Sequence, residues 1–226
     1  MNWKKQDFIA LSLIPLQLLI SWLFSMAEVP QIANAILAVA MISVAVFICI
    51  KIYGDVLKKD WENYRKKIGF KILFSILGAI GIVLILQAVR FILAPIMPDT
   101  SAVDESEAIS NTLFVTLLIS LIPLLNAFQE EVVFRHVIFY KFKDSKKYIA
   151  VFFFLLSAFL FGVVHLNNFN GNFIATIPYM VIGAFFNLIY LFTKNIWYAI
   201  GVHLVFNFAM GFLPLIFVYI LQSFIG

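Results

Sequence analysis

The chain has 226 residues, 63% of them hydrophobic and only 12% charged, with a mean hydropathy of +1.01. A soluble domain carries roughly 25% charged residues, so the composition excludes an ordinary soluble enzyme and makes lipid the main solvent. The net charge of +4 needs no nucleic-acid partner if the basic residues follow membrane topology, and the single Cys49 excludes an internal disulfide framework.

Apolar runs of about 20 residues, enough to cross a hydrocarbon core of about 30 Å, recur along the sequence. Spans are expected near 8–27, 31–53, 72–96, 112–139, 149–167, 173–193 and 196–212, with a short eighth over 213–225 that begins around Pro214. The last two could equally be one long kinked helix, because nothing polar separates them. The first run exceeds a signal-peptide core and lacks a small-x-small cleavage site, so it reads as a retained span. None of the runs has the period-2 alternation of a barrel, and backbone groups in lipid must be satisfied internally. The expected fold is an all-α polytopic membrane protein, a bundle of about 7–8 transmembrane helices forming one domain over 1–226.

The basic residues divide the two faces. Lys4 and Lys5, the cluster from Lys51 to Lys71, then Lys141 to Lys147, and finally Lys194 fall on one side if the spans alternate. The other side carries Glu28 and the acidic loop Asp99, Asp104, Glu105 and Glu107. The positive-inside rule makes the lysine face and the N-terminus cytoplasmic, with some attraction to anionic membrane lipid. The stretch Gly54–Lys71, with Trp61, Tyr64 and Ile68 among charges of both signs, reads as a short surface helix.

The fourth span contains Glu130, Glu131 and Arg135 in an otherwise apolar setting. Charged groups at that depth cost several kcal/mol, so they face a protein interior or a water-filled cavity and mark function by default. On a helix Glu131 and Arg135 are i,i+4 and form an ion pair, whereas Glu130 is turned about 100° away and left free. Of the three histidines, His165 ends an apolar run four residues after Phe161, and His203 stands four before Asn207. Taken singly these have plain structural readings: a paired charge that fixes packing, or polar residues that join helices. His136 is expected to be structural, Arg90 to snorkel, Cys49 to be a small apolar residue, and Asn167, Asn168, Asn170 and Asn172 to form a polar turn outside any site. Together, the carboxylates, two histidines and an asparagine on three helices supply what amide hydrolysis needs. Those parts are a base for water, an acid for the leaving amine, and donors for an oxyanion. Glu130, His165 and His203 also have the ligand types of a three-ligand zinc site, although no H-E-x-x-H helix occurs.

The three motifs, Glu130-Glu131-x-x-x-Arg135, Phe161-x-x-x-His165 and His203-x-x-x-Asn207, resemble those of the CPBP family of CAAX proteases and bacteriocin-processing enzymes, also called the Abi family of intramembrane proteases. All three are complete and in the family's order, and the resemblance covers roughly 111–212, leaving 1–110 as three N-terminal spans plus the acidic loop. It implies an intramembrane endopeptidase in which Glu130 and His165 activate water, His203 and Asn207 form the oxyanion hole, and Glu131, Arg135 and Phe161 support the site. The family is often described as metal-dependent. A metal-free glutamate mechanism is favoured here, because Asn207 suits an oxyanion better than zinc. The implied partner is a peptide or membrane-protein substrate. Heavy use of Phe, Ile and Lys suggests an AT-rich bacterium, hence a bacterial cell membrane, and favours peptide maturation or bacteriocin self-immunity over prenyl processing. A non-catalytic immunity or scaffold protein of the same fold is the alternative, and a proton-relay transporter a third, which lacks the internal repeats it would need. One tension arises from depth. At 1.5 Å per residue, Glu130 lies roughly 16 Å from Lys141, but His165 lies roughly 27 Å from Lys147.

Overall fold

The computed structural model describes residues 3–27, 29–97 and 113–225. The acidic face expected from Glu28, Asp99, Asp104, Glu105 and Glu107 lies outside the described residues. Among the described residues eight α-helices follow one another: α1 (Lys5–Met26), α2 (Gln31–Tyr64), α3 (Ile68–Leu93), α4 (Leu113–Glu130), α5 (Lys147–Val163), α6 (Phe173–Thr193), α7 (Ile196–Asn207) and α8 (Leu213–Ile225). Two of them continue in altered geometry. After Glu130 the chain of α4 runs on as a π-helix over Glu131–Phe139 and a 3₁₀ turn over Tyr140–Phe142, and a π turn over Phe208–Phe212 joins α7 to α8. All elements are helical, as the sequence required.

Six segments among the described residues are long and apolar enough to span a membrane, the last of them Ile196–Leu221. Of the two readings of the last stretch, the structure takes the continuous one: α7 and α8 run on as a single apolar segment. Pro214 has no N–H to contribute, and the widened turn before it lets the chain carry on without a break. The short helix expected over Gly54–Lys71 follows a kink at Tyr53 (φ −113°, ψ 16°), where two helices meet within α2; it ends at Tyr64, and Ile68–Lys71 already belong to α3.

Side-chain contacts gather the lysine-bearing ends at one end of the bundle. Trp3 donates its indole N–H to the Val137 carbonyl (3.1 Å), linking the start of α1 to the end of the π segment. Asn195 and Trp197, at the α6–α7 turn, donate to the carbonyls of Asp60 (2.7 Å) and Leu57 (2.8 Å) in α2. Lys71, in the first turn of α3, bonds the Tyr198 hydroxyl. Each bond joins a pair of turns that the sequence had assigned to one face.

The π segment is the axis of the molecule. Eight of its nine residues are buried, and it touches α1, α5, α6 and α7. Charge within it never meets lipid, which is what makes Glu131 and Arg135 tolerable at that depth. The segment pairs antiparallel with α5: Phe142 stacks on Phe153 (3.8 Å between ring centres) and Phe134 meets Phe161 edge-on (5.7 Å). The same register puts Glu130 opposite His165, which removes the depth tension. Lys141 turns its ammonium inward to Asp7, so a depth counted from it as a surface residue misplaces Glu130. Close approach of α5 and α6 keeps this hairpin in place. A side chain at Gly162 would meet the Met180 backbone N at 3.0 Å, and one at Gly183 would meet the Ala158 Cα at 2.9 Å.

Candidate active site

The motif residues gather where the π segment, α5 and α7 meet. Glu131 Oε2 lies 3.1 Å from Arg135 Nε, and both side chains are fully buried. A π-helix turns once in more than four residues, so positions i and i+4 sit almost directly above one another and the pair needs no reach. The Arg135 guanidinium lies over the Phe161 ring at 4.2 Å and faces Phe186 at 5.1 Å. Aromatic faces stabilise a desolvated guanidinium by up to a few kcal/mol, and here they stand where oxygen partners would otherwise be needed.

Glu131 has a second partner that sequence spacing could not reveal. Its Oε1 is 2.9 Å from His203 Nδ1, so this carboxylate joins the π segment to α7 as well as bracing Arg135. The other ring nitrogen, His203 Nε2, is 3.9 Å from Glu130 Oε2. His203 is buried and stacks on Phe186 (4.8 Å, 26° between planes). The result is a polar chain, Arg135–Glu131–His203–Glu130, drawn from two helices.

His165 belongs to the same site by another route. It stands just after α5 rather than inside it, two residues beyond the last helical residue, Val163. Its Nδ1 is 2.7 Å from the Phe161 carbonyl. A carbonyl only accepts, so Nδ1 carries the hydrogen and Nε2 is left with its lone pair. The ring stacks on Tyr179 of α6 (4.5 Å, 25°), a contact no sequence motif flagged. Phe161 thus serves both halves, with its ring under Arg135 and its carbonyl on His165.

Asn207 reaches α4. Its amide donates to the Pro123 carbonyl of α4 at 2.8 Å. It shares the α4-facing side of α7 with His203, as i,i+4 spacing required, but its bond lands about two turns of α4 before the glutamates.

Glu130 and His165 both line a cavity of about 490 Å³. Much of the rest of its wall comes from α1 and α2, the spans without a motif: Gln17, Ser21, Ser25 and Asn34 line it together with Asn126 of α4. Asn168 lines it too, which corrects its expected place in a turn outside the site; the turn folds back beside His165. Gln17 and Gln129 exchange two amide hydrogen bonds, at 3.1 and 2.8 Å, and so fix α1 to the residue preceding Glu130. The spacing of Gln17, Ser21 and Ser25 along one face of an apolar helix was the available signal for this wall. Among the described residues, no three His, Cys, Asp or Glu side chains converge at metal-ligand spacing, so the donor types suit zinc but Glu130, His165 and His203 are not drawn together as a ligand set.

Residues 111–209 match the sequence model of the family described as type II CAAX prenyl endopeptidase Rce1-like, and the match contains all three motifs. No curated protein and no solved structure matches the chain.

Proposed function

We propose, from the match of residues 111–209 to the Rce1-like CAAX endopeptidase family, that this membrane protein hydrolyses a peptide bond within the bilayer with Glu130 as general base. The observation that carries the proposal is the shared cavity, in which the Glu130 carboxylate and the lone-pair-bearing Nε2 side of His165 border one space. Water held between them gives one proton to Glu130, and its oxygen adds to the scissile carbonyl carbon. The tetrahedral oxyanion accepts from donors on α7, the proton passes from Glu130 to the leaving nitrogen, and the C–N bond breaks to give a carboxylic acid and an amine.

His203 takes its part from its position. Glu131 holds the ring through Nδ1, which fixes its orientation and turns Nε2 towards Glu130 and the developing oxyanion, for which it is the first donor. Asn207 serves as the second donor, its remaining N–H directed by the bond to Pro123. Zinc at Glu130, His165 and His203 is not favoured, because these side chains do not converge as ligands; no step requires it.

The substrate is a small peptide or membrane protein, and the role peptide maturation or bacteriocin self-immunity in a bacterial membrane with the N-terminus cytoplasmic. Reconstituted protein incubated with a leader-peptide library tests this: cleavage by the native chain and none by Glu130→Gln is expected. A native chain that cleaves nothing while its Glu130→Gln form binds peptide equally well would favour the scaffold reading.

A further inference from the structure

We infer that α1 and α2 form a peptide-binding wall, and that substrate enters the cavity from the end of the bundle opposite the lysine clusters. The inference rests on the endopeptidase reading and adds to it the form of the substrate and its side of entry.

The cavity occupies one half of the bundle. Its wall uses α1 from Ile14 to Ser25, α2 from Gln31 to Ile42, α4 from Ile119 to Glu130, and the chain just after α5. In α1, α4 and α5 these positions lie away from the lysine-bearing end, and in α2 they belong to the first turns, before the chain reaches that end. The floor is at Glu130 and His165, and the outer rim is at Ser25, Gln31 and Asn34 around the α1–α2 turn. The positive-inside rule makes the lysine end cytoplasmic, so the described part of the rim faces the opposite side.

The wall has the chemistry of a peptide backbone receptor. Gln17, Ser21 and Ser25 repeat every four residues along α1, a rise of about 6 Å per step. An extended chain presents backbone groups to one side every two residues, about 6.6–6.8 Å apart, so a strand laid along α1 meets Ser21 and Ser25 at that repeat, beyond Gln17, whose amide is taken up by Gln129 and the Met41 carbonyl; Ser25 gives its hydrogen to the Trp22 carbonyl and offers its oxygen. A backbone in lipid must find hydrogen-bond partners, and amide and hydroxyl groups offer both donors and acceptors without charge. Asn34 and Asn126 add further amides, and Leu18, Leu37 and Met41 line the same cavity with apolar surface. Apart from Glu130 and His165, the lining side chains among the described residues are uncharged. The described wall therefore suits an internal, apolar stretch of extended peptide, with no cation among its residues for a free C-terminal carboxylate. The Gln17–Gln129 amide pair ties the inner end of this ladder to the catalytic helix.

The test uses the full chain in intact cells, carrying Cys49→Ala and Glu130→Gln so that peptide is bound but not cut. Single cysteines at Ser21, Ser25, Leu19 and Lys146 are exposed to a membrane-impermeant thiol reagent from outside. The Ser21→Cys and Ser25→Cys proteins should be modified from outside and Lys146→Cys only after permeabilisation. Leu19→Cys, exposed on α1 but not lining the cavity, should resist. A terminally blocked Leu/Ala-rich peptide at about ten times its Kd should slow modification of Ser21→Cys roughly tenfold, the fraction of sites then left free. Modification of Ser21→Cys only after permeabilisation would overturn the side of entry. Modification that the peptide does not slow would overturn the wall. Neither result depends on turnover, so a failure of the endopeptidase reading appears separately, as absence of cleavage by the native Glu130 protein.

Discussion

Two buried charge clusters stand at different depths of the same bundle, and they are satisfied in different ways. Near the lysine end, Asp7 is fully buried and accepts from the Tyr53 hydroxyl (2.7 Å), the Lys4 backbone N–H (2.7 Å) and the Lys141 ammonium. Beside it His136 bonds the Tyr190 hydroxyl (3.0 Å), and Tyr190 stacks on Tyr140 (3.8 Å). This cluster is closed, because the Asp7 carboxylate is met by protein donors and only the Lys141 side chain is part-exposed. The deeper cluster is open: Arg135 relies on rings for much of its surroundings, and Glu130 borders a cavity. A closed cluster holds helices together, whereas an open one keeps a reactive group ready for a ligand. Desolvating both at a cost of several kcal/mol per ion is explained by packing in the first case and by chemistry in the second.

Substitutions at the open end should give the largest effect, and it should fall on turnover alone. Glu130→Gln and His165→Ala are expected to lower cleavage by about 10²–10⁴-fold, the usual share of a positioned acid or base, with thermal unfolding in detergent unchanged. Near-native turnover in either would remove the distinction between the clusters. The closed cluster should show the reverse. Asp7→Ala or Lys141→Ala leaves an uncompensated buried charge, so a stability loss of about 3–5 kcal/mol is expected, with native turnover per folded molecule. Glu131→Gln sharpens the comparison because Glu131 belongs to both kinds: it braces Arg135 and orients His203. It should lose folded yield and turnover together, and a stable, active variant would show that the bond to His203 is dispensable.

Asn207→Ala should reduce turnover by about 10²–10³-fold if its amide serves the oxyanion. Loss of the Pro123 bond alone would cost only about 1 kcal/mol of stability, so turnover and melting measured on one sample separate the two roles. His136→Phe, in the closed cluster, leaves the Tyr190 hydroxyl unpaired and should cost about 1–3 kcal/mol of stability without touching the rate. The smallest expected effect is none at all: a strong chelator should leave the active protein's rate unchanged. Rate loss on chelation with rescue by zinc would overturn the metal-free mechanism while keeping Glu130, His165 and His203 in place.

The sequence by itself determined that the chain is helical and built for lipid, because apolar runs of membrane length leave the backbone no other way to satisfy its hydrogen bonds. It also singled out Glu130, Glu131, Arg135, His165 and His203, since charge and imidazole in apolar helices are costly enough to stand out. Spacing along a helix correctly paired Glu131 with Arg135 and put His203 and Asn207 on one face. Only the tertiary structure decided what those faces meet. The Glu131–His203 bond joins residues 72 positions apart, and no local periodicity encodes such a distance. The π geometry after Glu130 and after Asn207 changes the helical period that spacing arguments assume. The inward turn of Lys141 onto Asp7 misplaces a depth of Glu130 counted from it as a surface residue. The cavity wall from Gln17 to Asn34 stayed hidden for a related reason. Uncharged polar residues in a span cost little, so they carry no strong signal until the fold turns them all towards one space.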